Sequence, residues 1–289
     1  MVKVKINTFD PSTFKPFRAI LMVGKKGSGK SVLMNMVAWL LSNHADVALA
    51  FTPSTDSKDM FETFIPECMI FKHYNSDRIC KLIEHQRECT ERKERVNRVV
   101  LFLDDVTYDK TIFRRTEIRD ILMNQRHLHI TLVFTMQYCM DVGPDIRSQI
   151  DYVFAFQERI ASGRKKLYTN FFGMFNKMDD FEKTFKACTE RFECMVMDAT
   201  QATNRLEDQV FYFKATTPDK LPKFKLGRSV FWKMAKACAI KKAEKQTPVC
   251  LDDLAGDNKQ NITGVTKVDK SKKKSRSSRP KVDPIHIET

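Results

Sequence analysis

The sequence predicts an α/β protein with a mainly parallel central sheet flanked by helices. Short apolar runs such as RAILMV and RVVLFL alternate with longer helical segments, the order that parallel strands and their crossover helices produce. A glycine-rich turn joins the first of those strands to the first of those helices. Hydrophobic residues make up 42% of the 289, enough for a core and too many for wholesale disorder.

Strands are expected at 18–23, 46–51, 69–71, 98–103, 129–135 and 151–156, each a short apolar run bounded by polar residues. Helices are expected at 30–42, 76–95, 111–124 and 177–190. Two further runs, 193–197 and 210–214, flank the polar segment ATQATNRLED and read as a closing pair of strands. No segment repeats. One domain is expected over 1–217, a helical extension over 218–250 and a basic tail over 251–289. In the extension, RSVFWKMAKACAIKKAEKQ sets apolar Val230, Phe231, Met234 and Ala237 against lysines, and its apolar face is expected to pack on the core.

Lysine and arginine number 50 against 36 acidic residues, a formal charge of +14. Residues 259–289 carry +6 of it and are poor in apolar side chains, so this tail cannot bury enough surface to offset the entropy of ordering. Its KSKKKSRSSRPK run has three readings: nucleic-acid contact, an import signal, or plain solvation. No apolar run approaches the 18 or so residues of a membrane span. The stretch MVKVKINTFD lacks the apolar core of a secretory signal. The eight cysteines show neither CxxC nor a Cys/His metal pattern, so reduced thiols in an intracellular compartment are expected.

The sharpest local signal is Gly24-Lys25-Lys26-Gly27-Ser28-Gly29-Lys30-Ser31, a full GxxxxGK[ST]. Its glycines permit a tight turn whose N–H groups face a β-phosphate, and the succeeding helix adds its positive amino end. Lys30 is expected to reach the β- and γ-phosphates, and the Ser31 hydroxyl to ligate Mg²⁺. The run 98–103 ends in Asp104-Asp105. Asp104 is expected in the magnesium shell, and Asp105 beside the attacking water. The next run ends at Thr135-Met136-Gln137, where the Gln137 amide can sense the γ-phosphate or hold that water. Developing negative charge calls for a fixed guanidinium. The candidates are Arg126, ahead of the strand 129–135, and Arg147, in the helical turn after it; either can project across a subunit boundary. His127 and His129 have no second ligand cluster with them and read as packing or hydrogen-bonding residues.

With these pieces assembled, the chain resembles the packaging ATPases of the nucleocytoplasmic large DNA viruses, the vaccinia-type branch of the HerA/FtsK P-loop superfamily. The shared pieces are GKKGSGKS, VVLFLDD, NQRH ahead of a strand, TMQY, DIRSQIDYVFAF and FYFKA, spanning about residues 18–216. The resemblance implies a RecA-like P-loop NTPase sheet of the additional-strand class, with ATP and Mg²⁺ as ligands. It implies a pentameric or hexameric ring that moves double-stranded DNA into a preformed capsid, recruited by a capsid or inner-membrane component of the virion. The place of action would be the host cytoplasm at the assembly site and the virion, with the nucleus as a further address from the basic tail. It also implies that Arg126 acts on a neighbouring subunit's nucleotide. Asp105 departs from the glutamate more usual in that superfamily and is one methylene shorter.

Other readings stay open beside it. Asn176-Lys177-Met178-Asp179 matches the guanine-reading NKxD, yet no DxxG follows the acid pair, and NKMDD also suits the start of an amphipathic helix. A small-molecule or nucleoside kinase would share the glycine turn. A DNA- or capsid-binding module would carry that turn without turnover.

Overall fold

The structure is a computed structural model and describes residues 5–105, 111–139 and 143–245. Among them, one sheet is built from β1 (Asn7–Thr8), β2 (Ala19–Val23), β3 (Val47–Phe51), β4 (Ile70–Phe71), β5 (Val99–Leu103), β6 (Ile130–Met136), β7 (Tyr152–Ala155), β8 (Cys194–Asp198) and β9 (Val210–Phe213). Their order is β1-β9-β8-β7-β2-β6-β5-β3-β4. Neighbours run parallel except at β7–β8 and β8–β9. Strand β6 stands between β2 and β5, so the strand feeding the glycine turn and the strand ending in the acid pair are separated by one additional strand.

Helices α1 (Lys30–Leu40), α2 (Thr55–Glu62), α3 (Ser76–Glu91), α4 (Thr116–Asn124), α5 (Pro144–Arg147), α6 (Ala161–Phe171), α7 (Met178–Cys188) and α8 (Leu206–Gln209) accompany the sheet, covering both its faces, and α9 (Ser229–Lys245) follows them in the chain. The apolar runs of the central strands are buried throughout because each strand meets two helical layers. Ile20, Met22, Val100 and Phe102 cluster with Leu33 and Val37 of α1 and Phe61 of α2. Their neighbours Leu21, Leu101 and Phe134 cluster instead with Ile83 of α3, Ile118 of α4 and Phe181 of α7. Alternate side chains of one strand thus anchor opposite layers.

The two-residue strand β1 is held by Phe9, its immediate neighbour in the chain. Phe9 is buried and meets Tyr152, Phe154, Phe211 and Phe213 edge-on, with ring centroids 5.8–6.2 Å apart.

Several elements depart from expectation for local reasons. The helix expected from 111 begins at Thr116, because a 3-10 turn at Ile112–Arg114 and an extended Arg115 precede it. Helix α3 stops at Glu91, where Lys93 turns left-handed at φ 56° and the Glu94 N–H returns to the Cys89 carbonyl. Helix α7 starts behind Lys177, with Asp179 and Asp180 in its first turn, so NKMDD is a helix start. Helices α2 and α6 were not expected.

The expected core packing of the helix after 228 is corrected. Val230 and Met234 are 49% and 54% exposed. Trp232 is half-buried; its Nε1 donates to the Leu226 carbonyl, and the Lys225 ammonium lies over its ring. The chain reaches the core just before the helix, where buried Leu226 donates its N–H to the Phe64 carbonyl. That anchor leaves α9 starting on the surface.

The chain divides after Ile240 into two units, and the sheet lies wholly in the first. The basic tail over 251–289 and Cys250 lie outside the described residues. Cys68, Cys80, Cys89, Cys188, Cys194 and Cys238 are free thiols, and among the described residues no helix is long and apolar enough to cross a membrane.

Candidate active site

Strands β7, β2, β6, β5 and β3 are mutually parallel, so their carboxyl ends share one edge of the sheet. Ligands of such sheets bind outside that edge. Three segments leaving it meet here: residues 24–31 after β2, the acid pair after β5, and Gln137 after β6.

The turn is fixed at its start by the Gly24 N–H, which donates to the Met136 carbonyl of β6 at 3.0 Å. A β-carbon at Gly24 would stand 2.7 Å from the Phe156 β-carbon, so the close approach requires glycine. Gly27 and Gly29 take φ of 77° and 106°, which side chains with a β-carbon resist. Gly29 caps α1 without a side-chain hydrogen bond, so the first N–H groups of the helix and its positive end remain available to an anion. Open space surrounds Gly27 on its β-carbon side, and the Ser28 hydroxyl is buried without a partner. Such a cradle fits phosphate oxygens.

The Lys30 ammonium curls over this turn, donating to the Gly24 and Lys25 carbonyls. Burial pushes its pKa below the ordinary lysine value, and the charges of Asp104 and Asp105 act in the opposite sense. Lys30, Ser31, Asp104, Asp105, Thr135 and Gln137 line one cleft. Lys26 also reaches it, while Lys25 pairs with Glu158 at 3.4 Å.

Asp104 is buried at the end of β5. Its carboxylate accepts from the Thr135 hydroxyl at 2.8 Å and from the Thr52 hydroxyl at 3.0 Å. The Thr135 oxygen in turn accepts the Asp105 N–H at 2.8 Å. Asp105 turns left-handed at φ 51°, a conformation aspartate tolerates better than most residues, and its Oδ2 accepts from Gln137 Nε2 at 2.7 Å. Thr52 and Thr135 carry no motif of their own. Ser54 and Ser57 at the start of α2 also line the cleft, and the hydroxyl-rich STDS after the strand 46–51 was the signal available for them.

Ser31 and Asp104 offer oxygen donors, the chemistry a hard cation such as Mg²⁺ requires, and two hydroxyls hold the Asp104 carboxylate in one orientation. Among the described residues, no group of three or more His, Cys, Asp or Glu gathers to hold a metal without help from a ligand.

Neither arginine joins this cleft. Arg126 precedes β6 at the amino edge of the sheet; its side chain is 67% exposed and lies 3.9 Å from Asp151. Asp151 stands directly before β7, accepts from the Ala19 N–H and from Gln125 Nε2, and lies 3.4 Å from Arg18. Burial raises its pKa in spite of these partners. Arg147 ends α5 on the crossover between β6 and β7, where its guanidinium donates to Asn170 Oδ1. His129 stacks on Phe17, with centroids 5.0 Å apart, as a packing residue should. His127 is exposed, which rules out packing and leaves the hydrogen-bonding alternative.

Sequence comparison matches residues 8–162 to the family described as poxvirus A32 protein. Uncharacterized protein L437 of Acanthamoeba polyphaga mimivirus is 32% identical over 224 residues, 74% of this chain and 78% of that one. Uncharacterized protein 088R of Invertebrate iridescent virus 3 is 31% identical over 210 residues, 72% of this chain and 80% of that one. The fold is shared with the genome packaging NTPase B204 from Sulfolobus turreted icosahedral virus 2, solved in complex with AMPPCP. That match has a TM-score of 0.51 at 17% identity and covers 70% of this chain and 100% of that one. With over half its length matched by one family and relatives spread among large DNA viruses, the chain belongs to the poxvirus A32 protein family, the packaging ATPases its motifs resemble.

Proposed function

We propose that the chain hydrolyses ATP to drive double-stranded DNA into a preformed capsid, as one subunit of a ring. The observation that carries this reading is the gathering of Lys30, Ser31, Asp104, Asp105 and Gln137 in one cleft. DNA as cargo follows from the resemblance to packaging ATPases, and the surplus of basic residues suits a polyanion.

The N–H groups of residues 24–31 and the Lys30 ammonium hold the β- and γ-phosphates. Ser31 and Asp104 would hold Mg²⁺, which would supply charge neutralisation to the phosphates. Gln137 fixes the Asp105 carboxylate, and Asp105 orients the attacking water and takes up its proton as the water adds in line to the γ-phosphorus, the bond to the β–γ bridging oxygen breaks and ADP leaves. Arg126, exposed at the far edge of the sheet, serves the phosphates of the neighbouring subunit. Arg147 is the second candidate for that charge. Loss of the γ-phosphate contacts loosens the subunit boundary and moves a loop that grips DNA. The grip is to DNA phosphates, so it tolerates any sequence and weakens with salt. The ring works at the assembly site in the host cytoplasm, docked on a capsid or inner-membrane component of the virion.

The deciding measurement is ATP hydrolysis by the full chain with and without duplex DNA. Several-fold stimulation, abolished by Lys30→Ala, is expected. Transfer of phosphate to a nucleoside without dependence on DNA would make the chain a kinase instead. Wild-type turnover in Lys30→Ala would exclude this site.

A further inference from the structure

The cleft with the acids occupies only one flank of the glycine turn, the side toward β6 and β5. On the other flank, toward β7 and β8, lies a second cavity of about 470 Å³. Lys26 and Ser28 of the turn line it, together with Gln157 beyond β7 and Arg191, Phe192 and Glu193 ahead of β8. Strand β8 runs antiparallel to β7, so its start reaches the same sheet edge as the carboxyl ends of the parallel strands.

Phe192 is out of place there as a core residue. It is 70% exposed, the highest value among the exposed large hydrophobics of the described residues. Arg191 and Phe192 both hold left-handed backbone, at φ 50° and 68°. They are the central pair of a tight turn, closed by the Glu193 N–H donating to the Glu190 carbonyl at 2.9 Å, and that turn projects Phe192 outward ahead of β8. The Phe192 β-carbon lies 3.9 Å from where a β-carbon on Gly29 would stand, which sets the residue beside the amino end of α1. The buried, unpartnered Ser28 hydroxyl belongs to the lining of the same cavity.

A triphosphate whose γ end meets Asp104, Asp105 and Gln137 must lead its other end across the turn to the opposite flank. We infer that Phe192 is the stacking platform for the nucleobase, and that this second cavity receives the nucleoside end of the substrate. The inference rests on reading residues 24–31 as a triphosphate cradle. An exposed ring suits the task, because stacking uses the π-face that every base carries. Thr189, which also lines the cavity, already commits its hydroxyl to the Phe185 carbonyl at 2.7 Å, so stacking leads the recognition.

The test is calorimetric binding to the full chain of two probes: a non-hydrolysable ATP analogue, and inorganic tripolyphosphate, which has no base. In Phe192→Ala the analogue should bind about tenfold more weakly, while tripolyphosphate keeps its wild-type affinity. Phe192→Trp should restore the analogue. Unchanged analogue binding in Phe192→Ala, or equal weakening of both probes, would overturn the platform. Lys30→Ala separates that failure from one beneath it: the variant should lose both probes, and wild-type binding of both would overturn the cradle itself.

Discussion

The Thr135 hydroxyl governs both acids of the cleft at once, donating to Asp104 and accepting the Asp105 N–H. Thr135→Val keeps the shape but strands that N–H and leaves the Asp104 carboxylate held by the Thr52 hydroxyl alone. Steady-state ATP hydrolysis should fall about 10- to 100-fold, the usual cost of losing a partner that orients a ligand, and Thr135→Ser should recover most of it. The melting temperature recorded alongside separates this from unfolding. The glycines, Lys30 and Ser31 were legible in the sequence because their spacing is local and the chemistry tolerates few alternatives. Thr52 and Thr135 were not, because threonine ending an apolar run is an ordinary strand residue. Their roles come from the lateral order β3-β5-β6, which brings side chains 52 and 31 positions apart to one carboxylate.

Between elements, Asp46 joins the starts of β3 and β5. Its carboxylate accepts the Arg98 backbone N–H at 3.0 Å and the Arg98 guanidinium at 3.1 Å, with Arg95 at 3.2 Å. The Arg98 side chain above all holds its pKa down to about 2, from 3.8. A depressed carboxylate stabilises the fold fully above the unfolded value, and that stabilisation is lost as pH falls through the folded one. Asp46→Asn should therefore cost about 1–2 kcal/mol at pH 7, discounted for the exposure of the arginines. The gap to wild type should close between pH 4 and pH 2, as urea unfolding at several pH values would show. Buried strands were legible because two helical layers make nearly every position apolar, the threonines of β6 excepted. Helix α2 was not, since TDSKDMFE buries only Phe61, nor was α6, where ASGRKKLYTNF has a glycine in its first turn and few apolar residues. The apolar face of α9 read as core because period alone cannot say whether a partner surface exists.

Across the whole molecule, the cleft and Arg126 sit at opposite edges of one sheet. A lone subunit therefore cannot bring its own Arg126 to its own phosphates. Arg126→Ala and Lys30→Ala subunits, each inactive alone, should regain turnover when mixed, because an intact turn then meets an intact arginine. A mixture that co-assembles and stays inactive would refute action across the boundary. The parallel sheet was legible at this scale from the alternation of runs, whereas β1 was not, since Asn7 and Thr8 carry no pattern. That strand has a consequence for biosynthesis. Asn7 and Thr8 leave the ribosome early, yet their partners Phe211 and Tyr212 are translated roughly two hundred codons later. Strand β1 must wait unpaired while the other strands of the sheet are made. A clipped start and a premature stop ahead of residue 211 would then produce the same lesion: a strand left without its neighbour, open to pairing with another nascent chain.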